Sequence, residues 1–386
     1  MANNNNTKNL NVPNLRFPEF TGEWKETTLG KCVIQPLDYG MNAAAITYDG
    51  ENKYIRITDI DEQSSQYISD SPVSPAGQLL DKYIVEENDI LFARTGASTG
   101  KTYLYKKKDG KLYFAGFLIR AKIKTEYNST FIFAQTKTAQ YYKWVEFMSI
   151  RSGQPGINSQ EYASYRFLIP QKEEQDKIAS LLSLLDERIT TQIKIIEDLK
   201  LLKSAIRDKL YSALHSNKCI SLEIKDILDY EQPTKYIVDK DEYSSDSTLV
   251  PVLTANKAFI LGYTNENNGI YNKGECIIFD DFTMDSKFVN FPFKVKSSAI
   301  KILRTKDNFN TYFIFEYIAY LRLSSEEHKR HYISEIELRY LDIPDYATQL
   351  KIASILRCID KLLTNANRIN ELYLKQKQYL LSNIFI

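Results

Sequence analysis

The chain has 386 residues, which is enough for two or three domains. Its hydrophobic fraction of 43% and charged fraction of 26% are typical of a globular protein, and it has no apolar run long enough for a membrane span. The formal net charge of +1 hides an uneven distribution, because residues 88–168 carry thirteen Lys and Arg against five Asp and Glu. That segment is predicted to form a phosphate-facing surface. The four cysteines form no CxxC pair, which favours buried, reduced thiols in a reducing cytosol.

In chain order, the first predicted element is a disordered tail at residues 1–12, which are rich in Asn and lack an apolar stretch. Two series of strand and helix patterns follow in the same order, which predicts a duplicated domain. The predicted strands are residues 89–94, 111–123 and 275–279, and the predicted helices are residues 131–147 and 309–323. Asp109-Gly110 has the composition of a tight hairpin turn.

A twelve-residue segment occurs twice in the chain. Gln175–Asp186 and Gln349–Asp360 are identical at seven positions, and each follows an Ile-Pro dipeptide by a few residues. Apolar residues continue from each copy in steps of three and four, which predicts an amphipathic helix of about 40 residues, roughly 60 Å long. A single apolar stripe of that length needs a partner, so we predict that the two helices pair; the alternative is that each packs on its own domain.

The predicted fold class is α+β: two mixed α/β domains separated by two long antiparallel helices that form a coiled coil. The predicted boundaries are residues 1–12 for the tail, 13–171 for the first domain, 172–216 for the first long helix, 217–345 for the second domain and 346–386 for the second long helix.

The segment from Gly96 to Thr102 resembles a nucleotide-binding loop only superficially. A P-loop has four residues between its glycines and opens a helix, whereas three residues separate Gly96 from Gly100 and the strand-like Tyr103–Tyr105 follows. We therefore expect no ATP or GTP site here. The hydroxyls, backbone N–H groups and cations of the loop suit phosphates and base edges instead.

Other chemistry is equally weakly supported. Asp280-Asp281 and Asp285–Lys287 share residue types with metal nucleases, but further carboxylates at a two-metal spacing are not evident. His328 and His331 flank two cations, which disfavours a metal ligand role. No Ser-His-Asp or Cys-His set is apparent, and the Pro-Pro dipeptide of amino-methyltransferases is absent. We expect neither a catalytic residue nor a metal site in this chain.

Several short segments occur in a fixed order along the chain: Leu15–Phe20 with Trp24, Arg94–Lys101, Arg151–Asn158, Ile278–Phe282 with Ser286-Lys287, and the two helix starts containing Lys-Ile-Ala-Ser. In this order they resemble the specificity subunit of type I restriction-modification systems. The resemblance extends from about residue 13 to residue 386.

The resemblance implies that each domain is a target-recognition domain, which reads one part of a split sequence in double-stranded DNA. The long helices would set the unread spacer. The implied partners are two modification (methyltransferase) subunits, which bind S-adenosylmethionine, and restriction (endonuclease/translocase) subunits, which use ATP and Mg²⁺. No cofactor is expected in this chain, which would be non-catalytic, cytoplasmic and not associated with a membrane.

The predicted DNA contacts lie in these loops and have side chains suited to bases or phosphates, since Arg pairs with guanine and Gln or Asn with adenine. In the first domain they are Arg94, Ser98, Thr99, Lys101, Arg151, Gln154 and Asn158, and in the second domain they are Lys287, Lys329, Arg330 and His331. Residues 217–345 have a net charge of −5, sixteen basic against twenty-one acidic, so the basic surface there must be local. Two alternatives remain open: a nuclease or methyltransferase with its own active site, and a coiled-coil adaptor that does not bind DNA.

Overall fold

The computed structural model describes residues 11–150, 154–216, 219–254, 259–323 and 332–386. Its helices are α1 (Ser129–Gln135), α2 (Ala139–Met148), α3 (Ser159–Ala163), α4 (Lys172–Ser212), α5 (Ile224–Ile227), α6 (Thr311–Tyr320) and α7 (Tyr346–Ile384). The strands of the first half are β1 (Lys25–Thr28), β2 (Asp38–Tyr39), β3 (Ala45–Thr47), β4 (Lys53–Ile55), β5 (Val73–Pro75), β6 (Asp89–Ala93), β7 (Thr102–Leu104), β8 (Leu112–Phe114), β9 (Leu118–Lys122) and β10 (Arg166–Ile169). Those of the second half are β11 (Ile220–Glu223), β12 (Leu228–Glu231), β13 (Val250–Leu253), β14 (Ile260–Thr264), β15 (Cys276–Asp280), β16 (Ser286–Val289), β17 (Lys294–Val295), β18 (Ile300–Thr305) and β19 (Tyr340–Ile343).

The chain forms two compact units. Unit 1 contains Met1–Gln192 and Ile369–Ile386, and unit 2 contains Ile193–Arg368. Both long helices therefore contribute to both units: α4 begins in unit 1 and ends in unit 2, and α7 does the reverse.

The central sheet of unit 1 is antiparallel, with the strand order β2-β9-β6-β7. Strand β6 is buried along its whole length because both of its faces are covered. Successive side chains of a strand point to opposite faces. Ile90 and Phe92 accordingly belong to a core with residues of α1, α2 and α4, whereas Leu91 and Ala93 belong to a second core with residues of β4 and β8.

Three two-stranded pairs complete the sheets of unit 1. The pairs β1–β10 and β3–β5 are antiparallel, and β4–β8 is parallel. In the first pair, Lys25 lies opposite Ile169, so the start of the globular part is held next to the strand that leads into α4.

Unit 2 repeats this plan. Its central antiparallel sheet has the order β12-β18-β15-β16, in which β15 is the buried equivalent of β6. The pair β11–β19 corresponds to β1–β10, since β19 leads into α7 as β10 leads into α4. A three-stranded sheet, β14-β13-β17, is specific to this unit within the described residues.

The long helices are antiparallel within each unit. In unit 1, Asp186 of α4 forms an ion pair of 2.5 Å with Lys377 of α7, and Leu182 shares a core with Leu380. In unit 2, Lys203 of α4 lies 2.6 Å from Asp360 of α7. Early residues of α4 thus meet late residues of α7, and late residues of α4 meet early ones of α7.

The repeated glutamine at the start of each twelve-residue copy has the same structural role twice. In unit 1, Gln175 Oε1 accepts the backbone N–H of Asn128 (3.0 Å), and its Nε2 donates to the carbonyl of Pro170 (2.9 Å). In unit 2, Gln349 accepts the N–H of Asn310 (3.0 Å) and donates to Pro344 (3.1 Å). Asn128 and Asn310 are the N-caps of α1 and α6, so each glutamine ties a long helix to the first turn of a domain helix.

Three local predictions are wrong. The strand predicted at residues 111–123 is two strands, β8 and β9, which belong to different sheets. Asp109-Gly110 does not close a hairpin, because β7 pairs with β6 while β8 pairs with β4 in another sheet. The helix predicted at residues 131–147 is two helices, because the side chain of Thr138 accepts the N–H of Tyr141 and caps the start of α2.

The cysteines are also less uniform than predicted. All four are free, and only Cys32 and Cys276 are buried, whereas Cys219 is half-buried and Cys358 on α7 is exposed. None of the helices in the described part of the chain has the apolar length that crossing a bilayer requires.

Candidate nucleic-acid interface

The loop from Arg94 to Lys101 joins the buried strand β6 to β7 in unit 1. It begins with a 3-10 turn at Gly96–Ser98, and Gly96 and Gly100 have φ angles of 75° and 91°, which side chains rarely adopt. A Cβ atom on Gly100 would lie 2.6 Å from a methyl group of Val145. Glycine is therefore required there by both conformation and space.

Two buried tyrosines form hydrogen bonds with the backbone of this loop. The hydroxyl of Tyr162 donates to the carbonyl of Ala93 (2.6 Å) and accepts the N–H of Gly100 (3.2 Å), while the hydroxyl of Tyr141 donates to the carbonyl of Gly100 (3.0 Å). Burial raises the pKa of both hydroxyls well above the usual range, so they remain protonated donors.

A second segment, residues 154–158, lies against the loop. Gly96 donates its N–H to the carbonyl of Pro155 (2.9 Å), and Ile157 donates to that of Arg94 (2.9 Å). The side-chain nitrogen of Gln154 is 3.1 Å from the position a Cβ atom of Gly96 would take. The structure therefore brings Arg94 and Gln154, two predicted contacts far apart in sequence, to one surface.

Among the predicted contacts that the structure describes, Arg94 is the one most available to a ligand. Its guanidinium lies over the ring of Tyr39, 4.8 Å from the centroid, and among the described residues it has no ion pair with a carboxylate. Burial raises the pKa of the Tyr39 hydroxyl, but the hydrogen bond from Ser159 and the charge of Arg94 outweigh this effect, and the pKa falls below its usual value. A stacked guanidinium leaves its N–H edge available to a ligand.

The other predicted residues of unit 1 are partly engaged. Thr99 donates its hydroxyl to the carbonyl of Gly96 (2.7 Å), and Ser98 accepts the N–H of Lys101 at its carbonyl (3.0 Å). The amino group of Lys101 lies 3.8 Å from Glu62. Asn158 is exposed but caps α3 by accepting the N–H of Glu161 (2.9 Å). Arg151 lies outside the described residues.

A groove of about 750 Å³ borders Arg94 in unit 1 and was not predicted from the sequence. We call it the Phe117 groove; its lining includes Tyr39, Asn42, Arg56, Thr58, Arg94 and Phe117. Phe117 occupies the turn between β8 and β9 and is 62% exposed, which is unusual for a side chain of that size. Phe117 follows a glycine in the most basic stretch of the sequence, and this position could have indicated an exposed aromatic residue at the interface.

The equivalent loop of unit 2 differs in charge. Where Arg94 follows β6, Asp281 follows β15; its carboxylate lies 3.2 Å from Lys301 and accepts the N–H of Tyr332 (2.8 Å). Lys287 of β16 forms an ion pair of 2.7 Å with Asp285. Lys329, Arg330 and His331 lie outside the described residues, so Lys287 is the predicted contact whose place in unit 2 is described.

The carboxylates considered for metal binding have structural partners. Asp280 accepts the N–H groups of Phe282 (2.8 Å) and Thr283 (3.2 Å), which fixes the turn after β15. Within the described ranges, no group of three or more His, Cys, Asp and Glu side chains is arranged to hold a metal ion.

A comparison with known protein families matches part of this chain. The family model of the type I restriction modification DNA specificity domain matches residues 41–201. Residues 41–201 of this chain are similar to that specificity domain. The match contains the Arg94 loop, residues 154–158, about the first three-quarters of α4 and the named residues of the Phe117 groove except Tyr39, and it confirms the resemblance over these residues.

Two curated specificity subunits match parts of this chain. The EcoR124I/EcoR124II specificity subunit of Escherichia coli is 43% identical over 169 residues, which are 41% of this chain and 42% of that protein. The MjaVIII specificity subunit of Methanocaldococcus jannaschii is 28% identical over 155 residues, which are 39% of this chain and 34% of that protein. The matched parts thus span less than half of either relative.

The similarity to solved structures extends over nearly the whole chain. The S subunit of a type I restriction-modification system from M. genitalium superimposes with a TM-score of 0.67 at 16% identity, covering 97% of this chain and 99% of that one. A chain from a study of complex assembly and conformational transition of the type I R-M system gives a TM-score of 0.54 at 13% identity, covering 93% and 96%. At these identities the likeness concerns the fold, and it confirms the predicted α+β class.

Proposed function

We propose that this chain is the sequence-specific DNA-binding subunit of a type I restriction-modification complex and reads a bipartite target. The observation that carries the proposal is the surface made by the Arg94 loop and residues 154–158 in unit 1. It offers an arginine stacked on Tyr39, an exposed Gln154 and loop hydroxyls, which are the groups that recognise bases and phosphates.

We assign one half of the target to each duplicated domain and keep the predicted limits, residues 13–171 and 217–345, for the two readers. In the second reader the proposed contacts are Lys287, Lys329, Arg330 and His331. The acidic loop at Asp281 supports a different half-site there, because its buried carboxylate cannot replace the role of Arg94.

The partners in this proposal are double-stranded DNA, two modification subunits and restriction subunits, in the cytoplasm. S-adenosylmethionine, ATP and Mg²⁺ would be held by those partners, and this chain would perform no chemistry itself. The rival function, a nuclease or methyltransferase with its own active site, predicts that the purified chain alone cuts or methylates DNA when given a metal ion or S-adenosylmethionine.

The direct test is a map of methylated sites in genomic DNA from a host that carries this chain with its modification subunits. A split motif that changes at one half when Arg94 is replaced by alanine supports the proposal, and Tyr142→Ala, an exposed aromatic outside the Phe117 groove, serves as the control. A wild-type map without any sequence motif refutes it. Absence of salt-sensitive DNA retention would favour the adaptor alternative, which does not bind DNA, because phosphate contacts are salt-sensitive.

The spacer role of the long helices is a separate part of the proposal. Inserting four residues between Ile189 and Leu202 adds about 6 Å of helix, close to two base pairs of rise. The unread spacer should lengthen accordingly while both half-sites stay the same. An unchanged spacer in a variant that still methylates DNA rejects this role.

A further inference from the structure

The Phe117 groove contains two side chains that leave the sheet at directly opposed positions. The ladder between β6 and β9 ends at the pair Ala93↔Leu118, and the next pair is Arg94 with Phe117, joined by a backbone N–H···O bond of 3.1 Å. Opposed residues of an antiparallel pair have side chains on the same face, with Cβ atoms about 4.5–5.5 Å apart. Successive base pairs are about 3.4 Å apart, so side chains that leave the backbone at this separation can contact neighbouring base pairs.

Arg94 is the cation that this groove leaves available. The other guanidinium in the lining, that of Arg56, forms a double hydrogen bond with Asp59, at 2.8 Å from Nε and 2.8 Å from Nη2. Arg94 is instead fixed by stacking on Tyr39, whose hydroxyl accepts the N–H of Ser159 (3.1 Å). A guanidinium held in this way presents its donors as a rigid fork, which matches the two acceptors of guanine in the major groove.

Phe117 provides the complementary apolar surface. Its ring is 62% exposed at the tip of a tight turn, in which Leu118 donates its N–H to the carbonyl of Ala115 (2.8 Å). The turn is restrained further because Gly116 donates to the carbonyl of Met41 (2.8 Å). An exposed phenyl ring on a rigid turn beside an available arginine is suited to the methyl group of thymine, the one apolar feature of the major-groove edge.

From this geometry we infer that the Phe117 groove takes the major-groove edge of duplex DNA, with Arg94 on a guanine and Phe117 against the methyl group of a thymine in the next base pair. The inference rests on the proposed function and makes it more specific. It states that one half-site contains a G·C pair adjacent to an A·T pair, and that two residues of unit 1 read them.

The test uses the full chain with its modification subunits and compares Arg94→Lys, Phe117→Ala and the control Tyr142→Ala. Arg94→Lys keeps the charge but removes the planar fork. Because lysine can still donate to guanine, the preference for guanine at one position should fall about 5-fold, the lower end of the range for a bidentate pair. Phe117→Ala should relax the choice at a neighbouring A·T pair of the same half-site. Tyr142→Ala, which removes a side chain 55% exposed outside the groove, should leave the methylated motif unchanged.

Oligonucleotides containing deoxyuridine isolate the methyl contact. Replacing the thymine of that A·T pair by deoxyuridine should weaken binding by the wild-type complex about 4-fold, as expected for one buried methyl group. The same replacement should have no effect on the Phe117→Ala complex. Circular dichroism and thermal unfolding verify that each variant is folded.

The outcomes separate this inference from the function on which it rests. If the wild-type complex shows no sequence motif, the proposed function fails. If the wild type has a motif but Arg94→Lys and Phe117→Ala leave it unchanged, or alter different half-sites, only the inference is overturned. A deoxyuridine effect that persists in Phe117→Ala also overturns the assignment of the methyl contact.

Discussion

The amide of Gln175 connects α4 to the first turn of α1, and its removal has a cost that follows from the structure. Gln175 is 2% exposed, and alanine would leave the buried carbonyl of Pro170 without its 2.9 Å partner, at about 1–3 kcal/mol. The N–H of Asn128 is half-buried, and losing its 3.0 Å bond adds about 1 kcal/mol. We expect Gln175→Ala to lower the free energy of unfolding of unit 1 by about 2–4 kcal/mol.

Because the arrangement is duplicated, Gln349→Ala should have a similar effect in unit 2. Denaturant unfolding monitored by hydrogen exchange can assign each effect, since Gln175→Ala should accelerate exchange of the Asn128 amide and Gln349→Ala that of Asn310. Gln378→Ala, an exposed position on α7, is the matched control and should change stability by less than about 0.5 kcal/mol. Stability losses in Gln175→Ala no larger than in this control would refute the reasoning.

Three further predictions concern buried polar groups. Tyr162→Phe removes the hydroxyl that supports Gly100, so it should lower the free energy of unfolding by about 1–2 kcal/mol in denaturant titrations and relax recognition of one half-site. An unaltered motif would show that this hydrogen bond does not position the loop. Glu316 is fully buried with its carboxylate 2.6 Å from Lys203, so Glu316→Gln should cost unit 2 about 3 kcal/mol, and a change below 1 kcal/mol would contradict the prediction. Burial lowers the pKa of Lys137 from 10.5 to about 7, so the unfolded chain binds an extra proton between these pH values and the free energy of unfolding should rise with pH above about 7. Lys137→Met should reduce that rise, measured by urea unfolding at pH 7 and pH 9. An equal rise in the wild type and the variant would refute the prediction.

The sequence predicted the features that depend on periodicity and repetition. The apolar stripes predicted both long helices. The same order of strand and helix patterns in the two halves, in which β6 and β15 are equivalent, predicted the duplication. The repeated glutamine was visible in the sequence, but its role was not, because its partners Pro170 and Asn128 are five and 47 positions away. Such bonds are set by tertiary packing, which a one-dimensional pattern does not contain.

The candidate interface was predicted only in part for the same reason. The Arg94 loop has a recognisable composition, whereas the Phe117 groove arises from an N–H···O bond between strands that are 23 residues apart in the sequence. The prediction of a hairpin at Asp109-Gly110 was wrong because β8 pairs with β4 rather than with β7, and residues of β4 and β8 pack together in the second core. Thr99 and Asn158 were chosen for their polar groups, and loop and cap hydrogen bonds already use those groups.

The unequal burial of the four thiols makes the chain chemically addressable at one point. Burial raises the pKa of Cys32 to about 11 and that of Cys276 to about 12, which suppresses the thiolate that reacts with maleimides. Cys219 is half-buried and its pKa is also raised, whereas Cys358 is exposed on α7. A fluorophore or spin label applied near neutral pH should therefore attach preferentially at Cys358, where its signal would report any protein that covers this stretch of helix.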